Sequence, residues 1–151
     1  MIRAQPAELA PMTARVSASV QRRPRSAAHA ARWPVAVASS AHRRVIDAAL
    51  AATGLRDTIR IVVSSDEVDH GKPAPDVYLE AARRLGVVPA RCLVVEDSIN
   101  GLRAGVDAGM TTVLVPNLSV PPAPGAEEVA DHVLARLSEL DPSAIGLRGR
   151  S

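Results

Sequence analysis

From Trp33 onward, short apolar runs alternate with stretches in which apolar residues recur every three or four positions. Val35-Ala36-Val37-Ala38 reads as a buried strand that ends in Ser39-Ser40. A helix follows, with Val45, Ile46, Ala49 and Leu50 on one face and Gly54 as its stop. Residues 59–63 predict a second strand, and residues 64–72 a polar loop. Pro75 suits the first turn of the next helix, whose inner face is Val77, Ala81, Ala82 and Leu85 and which Gly86 closes. Residues 92–95 predict the third strand. Ser98 can cap a helix carrying Ile99, Leu102 and Val106 that stops at Gly109. Residues 111–115 predict the fourth strand. A Pro-rich connection over 116–125 leads to a short apolar run at 132–134 and a helical turn near 137–140. Strands and helices alternating in units of roughly 30 residues predict an α/β fold with a doubly wound parallel sheet.

Composition divides the chain in three. Residues 1–32 show no sustained period and carry six arginines against the single acid Glu8, a net +5. They read as a disordered or atypical extension, or as translation beginning upstream or out of frame; a transit-type leader ranks behind these. One piece, residues 14–20, alternates Val16, Ala18 and Val20 with polar residues and could form an edge strand. Residues 33–141 hold the periodic pattern, and the Arg/Gly/Ser-rich tail over 142–151 is expected to be loose. Without the first 32 residues the chain is mildly acidic, which argues against nucleic-acid binding by the domain despite a pI near 9.3. The core has to come from Ala, Val, Leu and Ile, since there is no Phe, one Trp and one Tyr. A single cysteine, Cys92, excludes an internal disulfide and fits a reducing, cytoplasmic setting. No apolar run approaches the roughly 18 residues of a membrane span.

The chemistry concentrates between Gly71 and Asn100. Lys72 is the only lysine in the chain, standing in Gly71-Lys72-Pro73-Ala74-Pro75-Asp76. Glu96-Asp97 ends an apolar run, where a buried parallel strand emerges at the rim that binds ligands in open α/β sheets. A cation and two carboxylates converging there suit a divalent metal and a phosphoryl group. Each residue also has an ordinary reading. Ser39 and Ser40 could cap the helix after them, Lys72 could be a surface lysine, and Glu96-Asp97 could be carboxylates favoured at a helix start. His42 reads as a surface residue, and Cys92 as a small buried hydrophobe. A receiver domain of the response-regulator type is excluded, because there the acidic cluster precedes the lysine.

Val37-Ala38-Ser39-Ser40, the Gly71–Asp76 segment and Val94-Val95-Glu96-Asp97-Ser98, followed by Gly101, Gly105 and Gly109, resemble the later motifs of the haloacid dehalogenase-like hydrolases. The resemblance is to the branch of phosphatases and β-phosphoglucomutase-like enzymes, and it covers the C-terminal part of that fold only. It implies that Ser39, with Ser40 as an auxiliary contact, holds a phosphoryl oxygen. Lys72 would stabilise charge on the nucleophile and the transferring group. Asp97 would anchor Mg²⁺, with Glu96 as a second ligand, and the substrate would be a small phosphorylated metabolite.

These enzymes open with a strand ending in Asp-x-Asp, whose first carboxylate attacks phosphorus. No Asp-x-Asp occurs in this sequence, and the cap insertion is missing as well. The central first strand is therefore expected to be missing. The strands ending at Ser39 and Glu96 would then face a slot of unpaired backbone groups, each costing on the order of 1–3 kcal/mol if buried. An N-terminal segment fills that slot, or a complementing chain does, or the domain is marginal. The expected protein is a truncated or inactive Mg²⁺-dependent phosphatase or phosphomutase; the alternative is a non-catalytic phosphate- or metal-binding module.

Overall fold

The computed structural model describes residues 2–4 and 34–147. The alternating piece at 14–20, the rest of the N-terminal extension and the last residues of the tail lie outside the described residues. Six strands form one sheet: β1 (Ile2–Ala4), β2 (Val35–Ser39), β3 (Ile61–Ser64), β4 (Cys92–Glu96), β5 (Thr111–Leu114) and β6 (His132–Val133), in the order β3-β2-β1-β4-β5-β6. The helices are α1 (Arg43–Ala52), α2 (Asp76–Leu85), α3 (Ile99–Asp107) and the short α4 (Ala126–Val129).

Side-chain alternation along the strands builds two layers. Ala36 and Ala38 of β2 and Cys92 and Val94 of β4 pack with Val77, Tyr78, Ala81 and Ala82 of α2 and Ala104 of α3. The intervening residues face the other way: Val37 meets Ile46 and Leu50 of α1, and Leu93 and Val95 meet Leu140, Ile145 and Leu147. Helices thus cover both faces, as strands with near-continuous apolar runs require.

The pairings β2–β3, β4–β5 and β5–β6 are parallel, as the sequence predicts. The centre differs. β1 lies between β2 and β4 and runs antiparallel to both, with Ile2 opposite Ala36 and Val94, and Ala4 opposite Cys92. Of the outcomes left open for the central slot, an N-terminal segment of the same chain is the one adopted. Three residues suffice to pair the first halves of the flanking strands.

Three local differences have plain causes. β3 begins at Ile61, and Ile59 is instead a buried loop residue in the α1 cluster. Val45 is 57% exposed, because Ile46 and Leu50, one helical turn apart, take the position over the sheet. In the segment expected to be loose, Ile145 and Leu147 pack against Leu93 and Val113, so apolar residues hold part of it to the sheet.

The helix ends follow the sequence. Gly86 closes α2 at φ +70, and the Ser98 hydroxyl caps α3 by accepting the Gly101 N–H at 3.2 Å. Gly105 brings α3 against the sheet: a Cβ there would lie 2.8 Å from Thr112 Cγ2 and 3.1 Å from Val94 Cγ2. Both neighbours are β-branched and stiff. Gly105→Ala is therefore expected to lower stability by about 1–3 kcal/mol, despite the better helix propensity of alanine. A urea midpoint at or above that of the parent chain would refute the close-packing role.

Candidate active site

The site forms where β2 and β4 end and where the loop before α2 folds back over them. β3 ends in a capping box, with Ser64 accepting the Asp66 N–H and Glu67 accepting the Ser64 N–H. The chain then reaches Gly71, whose carbonyl accepts the Ala74 N–H, and the Lys72–Pro73 peptide is cis. Lys72 does not lie on the surface. Its side chain is only 5% exposed, and Nζ donates to the Ala38 carbonyl at 3.2 Å and to Glu96 Oε1 at 2.6 Å.

Glu96 is the hub of these contacts. Oε1 also accepts the Tyr78 hydroxyl at 2.9 Å, while Oε2 accepts the Asp97 and Ser98 N–H groups at 3.1 and 3.2 Å and the Ser98 hydroxyl at 2.9 Å. Among the described residues five donors thus surround one buried carboxylate. A Cβ on Gly101 would fall on that carboxylate, so the first turn of α3 needs glycine there to admit it. Burial pushes the Lys72 amine below the usual lysine range, and the neighbouring Glu96 and Asp97 carboxylates oppose that push.

The other expected residues lie nearby. Ser39 is buried, and its Oγ accepts the Ala41 N–H at 3.1 Å; α1 has no side-chain cap, so neither serine caps it. Ser40 is exposed, and its carbonyl accepts the Ser65 hydroxyl at 2.9 Å. Asp97 is half-buried, beyond the end of β4. A single cleft of about 900 Å³ is lined by Ser39, Ser40, Lys72, Glu96, Asp97 and Ser98 at its polar end. Its remaining wall is mostly apolar and includes Val45, Ala49, Val120 and Pro121. Outside this group, His42 is exposed and paired with Asp66 at 2.8 Å. Cys92 is buried, and burial pushes its thiol up to about 12, which suits a packing residue and not a nucleophile.

Among the described residues no group of three or more His, Cys, Asp or Glu is placed to hold a metal ion. Mg²⁺ takes one or two carboxylates and retains waters. The half-buried Asp97 fits that habit. Glu96 in this arrangement does not, because both its oxygens already serve five donors.

An α/β sheet, parallel but for its central strand, with an ammonium, a hydroxyl and two carboxylates at one rim defines a Rossmann-like protein with a charged site at the strand ends. Comparison with known proteins narrows this. A family profile described as "haloacid dehalogenase-like hydrolase" matches residues 25–109, more than half of the chain. The chain belongs to that family. It is 44% identical over 82 residues to the fructose-1-phosphate phosphatase YqaB of Escherichia coli (strain K12), covering 54% of this chain and 44% of that protein. It is 46% identical over 86 residues to the bifunctional riboflavin kinase/FMN phosphatase of Arabidopsis thaliana, covering 56% of this chain and 23% of that one. The structure of CbbY from Rhodobacter sphaeroides in complex with phosphate superposes with a TM-score of 0.64 at 32% identity, over 76% of this chain and 52% of that one. The chain therefore spans less than half the length of these two enzymes and about half that of CbbY. The relatives place it in the phosphatase-like branch.

Sequence reasoning missed Tyr78 and the second role of Ser98. The helical period contained the signal for the first, since Tyr78 stands three and four residues before Ala81 and Ala82 on the inner face of α2. Nothing in the sequence showed that Ser98 both caps α3 and donates to Glu96.

The hub arrangement predicts an asymmetry. Glu96→Gln leaves a buried ammonium with only the half-buried Asp97 to oppose its burial and turns an amide NH₂ toward other donors, a loss of about 3–5 kcal/mol. Lys72→Met leaves Glu96 with four donors and is expected to cost less. Urea unfolding of both variants checks this, and equal costs or the reverse order would refute it.

Proposed function

We propose that the cleft binds the phosphoryl group of a small phosphorylated metabolite, as the site of a phosphatase or phosphomutase does, and that this chain binds without turning over. One observation carries the reading: Ser39, Lys72 and Asp97 line one cleft in a chain whose sequence contains no Asp-x-Asp.

The Lys72 ammonium supplies positive charge in a poorly solvated place, where it attracts a phosphoryl oxygen far more strongly than in water. The Ser39 hydroxyl accepts from Ala41 and still has its own proton to give to such an oxygen. Ser40 is the auxiliary contact at the exposed lip. Asp97 would hold Mg²⁺, and the metal would neutralise phosphoryl charge. Glu96 acts through Lys72, by fixing where the ammonium sits. Binding and orientation are thereby provided for, whereas covalent transfer requires a carboxylate nucleophile that these residues do not include.

Calorimetry with inorganic phosphate, with and without Mg²⁺, tests the reading. Binding is expected for the parent chain, and a loss of tenfold or more in Lys72→Met. In parallel, p-nitrophenyl phosphate is expected to show no Mg²⁺-dependent hydrolysis. Turnover that disappears in Asp97→Ala would overturn the claim of inactivity. Absence of heat with phosphate under all conditions would overturn the claim of binding.

A further inference from the structure

We propose that Tyr78 is a positioning residue of this site, its hydroxyl fixing Glu96 while its ring seats the Lys72 ammonium. The inference rests on the phosphate-binding role given above to Lys72.

Tyr78 is the only tyrosine in the chain and is fully buried in the first turn of α2. Ordinary core packing would account for its ring, which lies among Val77, Ala81 and Val94. It does not account for the other two contacts. The hydroxyl donates to Glu96 Oε1 at 2.9 Å, the same oxygen that receives Lys72 at 2.6 Å. The ring centroid lies 4.8 Å from Lys72 Nζ, within the range at which a cation is attracted to an aromatic face. One side chain therefore touches both members of a buried ion pair, each through the part of opposite electrostatic character. The phenol proton meets the carboxylate, and the π face meets the ammonium.

This placement restricts the pair as well as stabilising it. Glu96 Oε2 is held from the α3 side by Ser98 and two backbone amides, and Oε1 from the α2 side by Tyr78. With both oxygens fixed, the carboxylate has one orientation, and the lysine that follows it has one place to sit. Lys72 arrives on a loop and has four side-chain torsions of its own. Without the tyrosine it would keep its charge and lose its address. Pre-organised charge binds an anion more tightly than mobile charge, because ordering occurs during folding and not during binding.

The sequence provides the reporter. With one lysine in the chain, ¹³Cε-lysine labelling of the full-length protein gives a single side-chain signal, that of Lys72. In the parent chain that signal is expected upfield of free lysine, under the ring current of Tyr78. Tyr78→Phe keeps the ring and removes the hydroxyl. It is expected to shift and broaden the lysine signal at constant pH. It should also weaken binding of inorganic phosphate by roughly five- to tenfold, equivalent to about 1–1.4 kcal/mol. A purely structural tyrosine would lower the melting temperature and leave both readouts unchanged well below it; that result overturns the proposal. If the parent chain binds no phosphate, the functional reading fails, and the lysine signal alone decides the placement. An unshifted signal in the parent chain, or one unaffected by Tyr78→Phe, would refute it.

Discussion

The site depends on a buried charge pair, Lys72 with Glu96. Taking either ion out of water costs several kcal/mol, and the attraction between them offsets that only when the remaining lone pairs and protons are also satisfied. Here they are. Glu96 accepts from a lysine, a tyrosine, a serine and two backbone amides, and Lys72 also donates to the Ala38 carbonyl. The donors come from the loop before α2, from α2 itself and from the approach to α3. Meeting the needs of one carboxylate therefore sets where three segments lie relative to the ends of β2 and β4.

Parity along β4 explains why adjacent carboxylates behave differently. Cys92 and Val94 face the layer of α2 and α3, while Leu93 and Val95 face the opposite layer. Glu96 continues the first series and meets Tyr78 and Gly101 between those helices. Asp97 is the next residue, past the strand's end, and emerges half-buried at the rim. A pair that looks equivalent in sequence is thus divided into an inner residue that organises the lysine and an outer one that faces the cleft. Gly101 follows from the same geometry, since the inner carboxylate occupies the space that its side chain would need.

Much of this was legible because the strands are short apolar runs and the helices have clear ends. Gly86 and Ser98 marked boundaries through backbone conformation and capping, which are local properties. Ser39 and Asp97 were legible as candidates because each stands at the end of an apolar run, and Lys72 because it is the only lysine and is flanked by Gly71 and Pro73. The three line one cleft. What was not legible depended on contacts between distant segments. Val45 looked like a core position until Ile46 and Leu50 took the sheet-facing side. The burial of Ile145 and Leu147 depends on a surface made by β4 and β5 that no local pattern announces. The commitment of Glu96 to five donors required knowing that Tyr78, eighteen residues away, would come within reach.

The direction of β1 has a consequence of its own. A peptide can complete a ladder in either heading, since amides and carbonyls line both of its edges. Its last residue, Ala4, lies beside Cys92, at the end of β4 remote from Glu96. The C-terminal end of this segment thus points away from the rim where Lys72 and Glu96 meet. In this fold, cohesion of the sheet and delivery of a group to the rim are separable requirements, and a reversed insert fulfils the first while its C-terminal end heads away from the second.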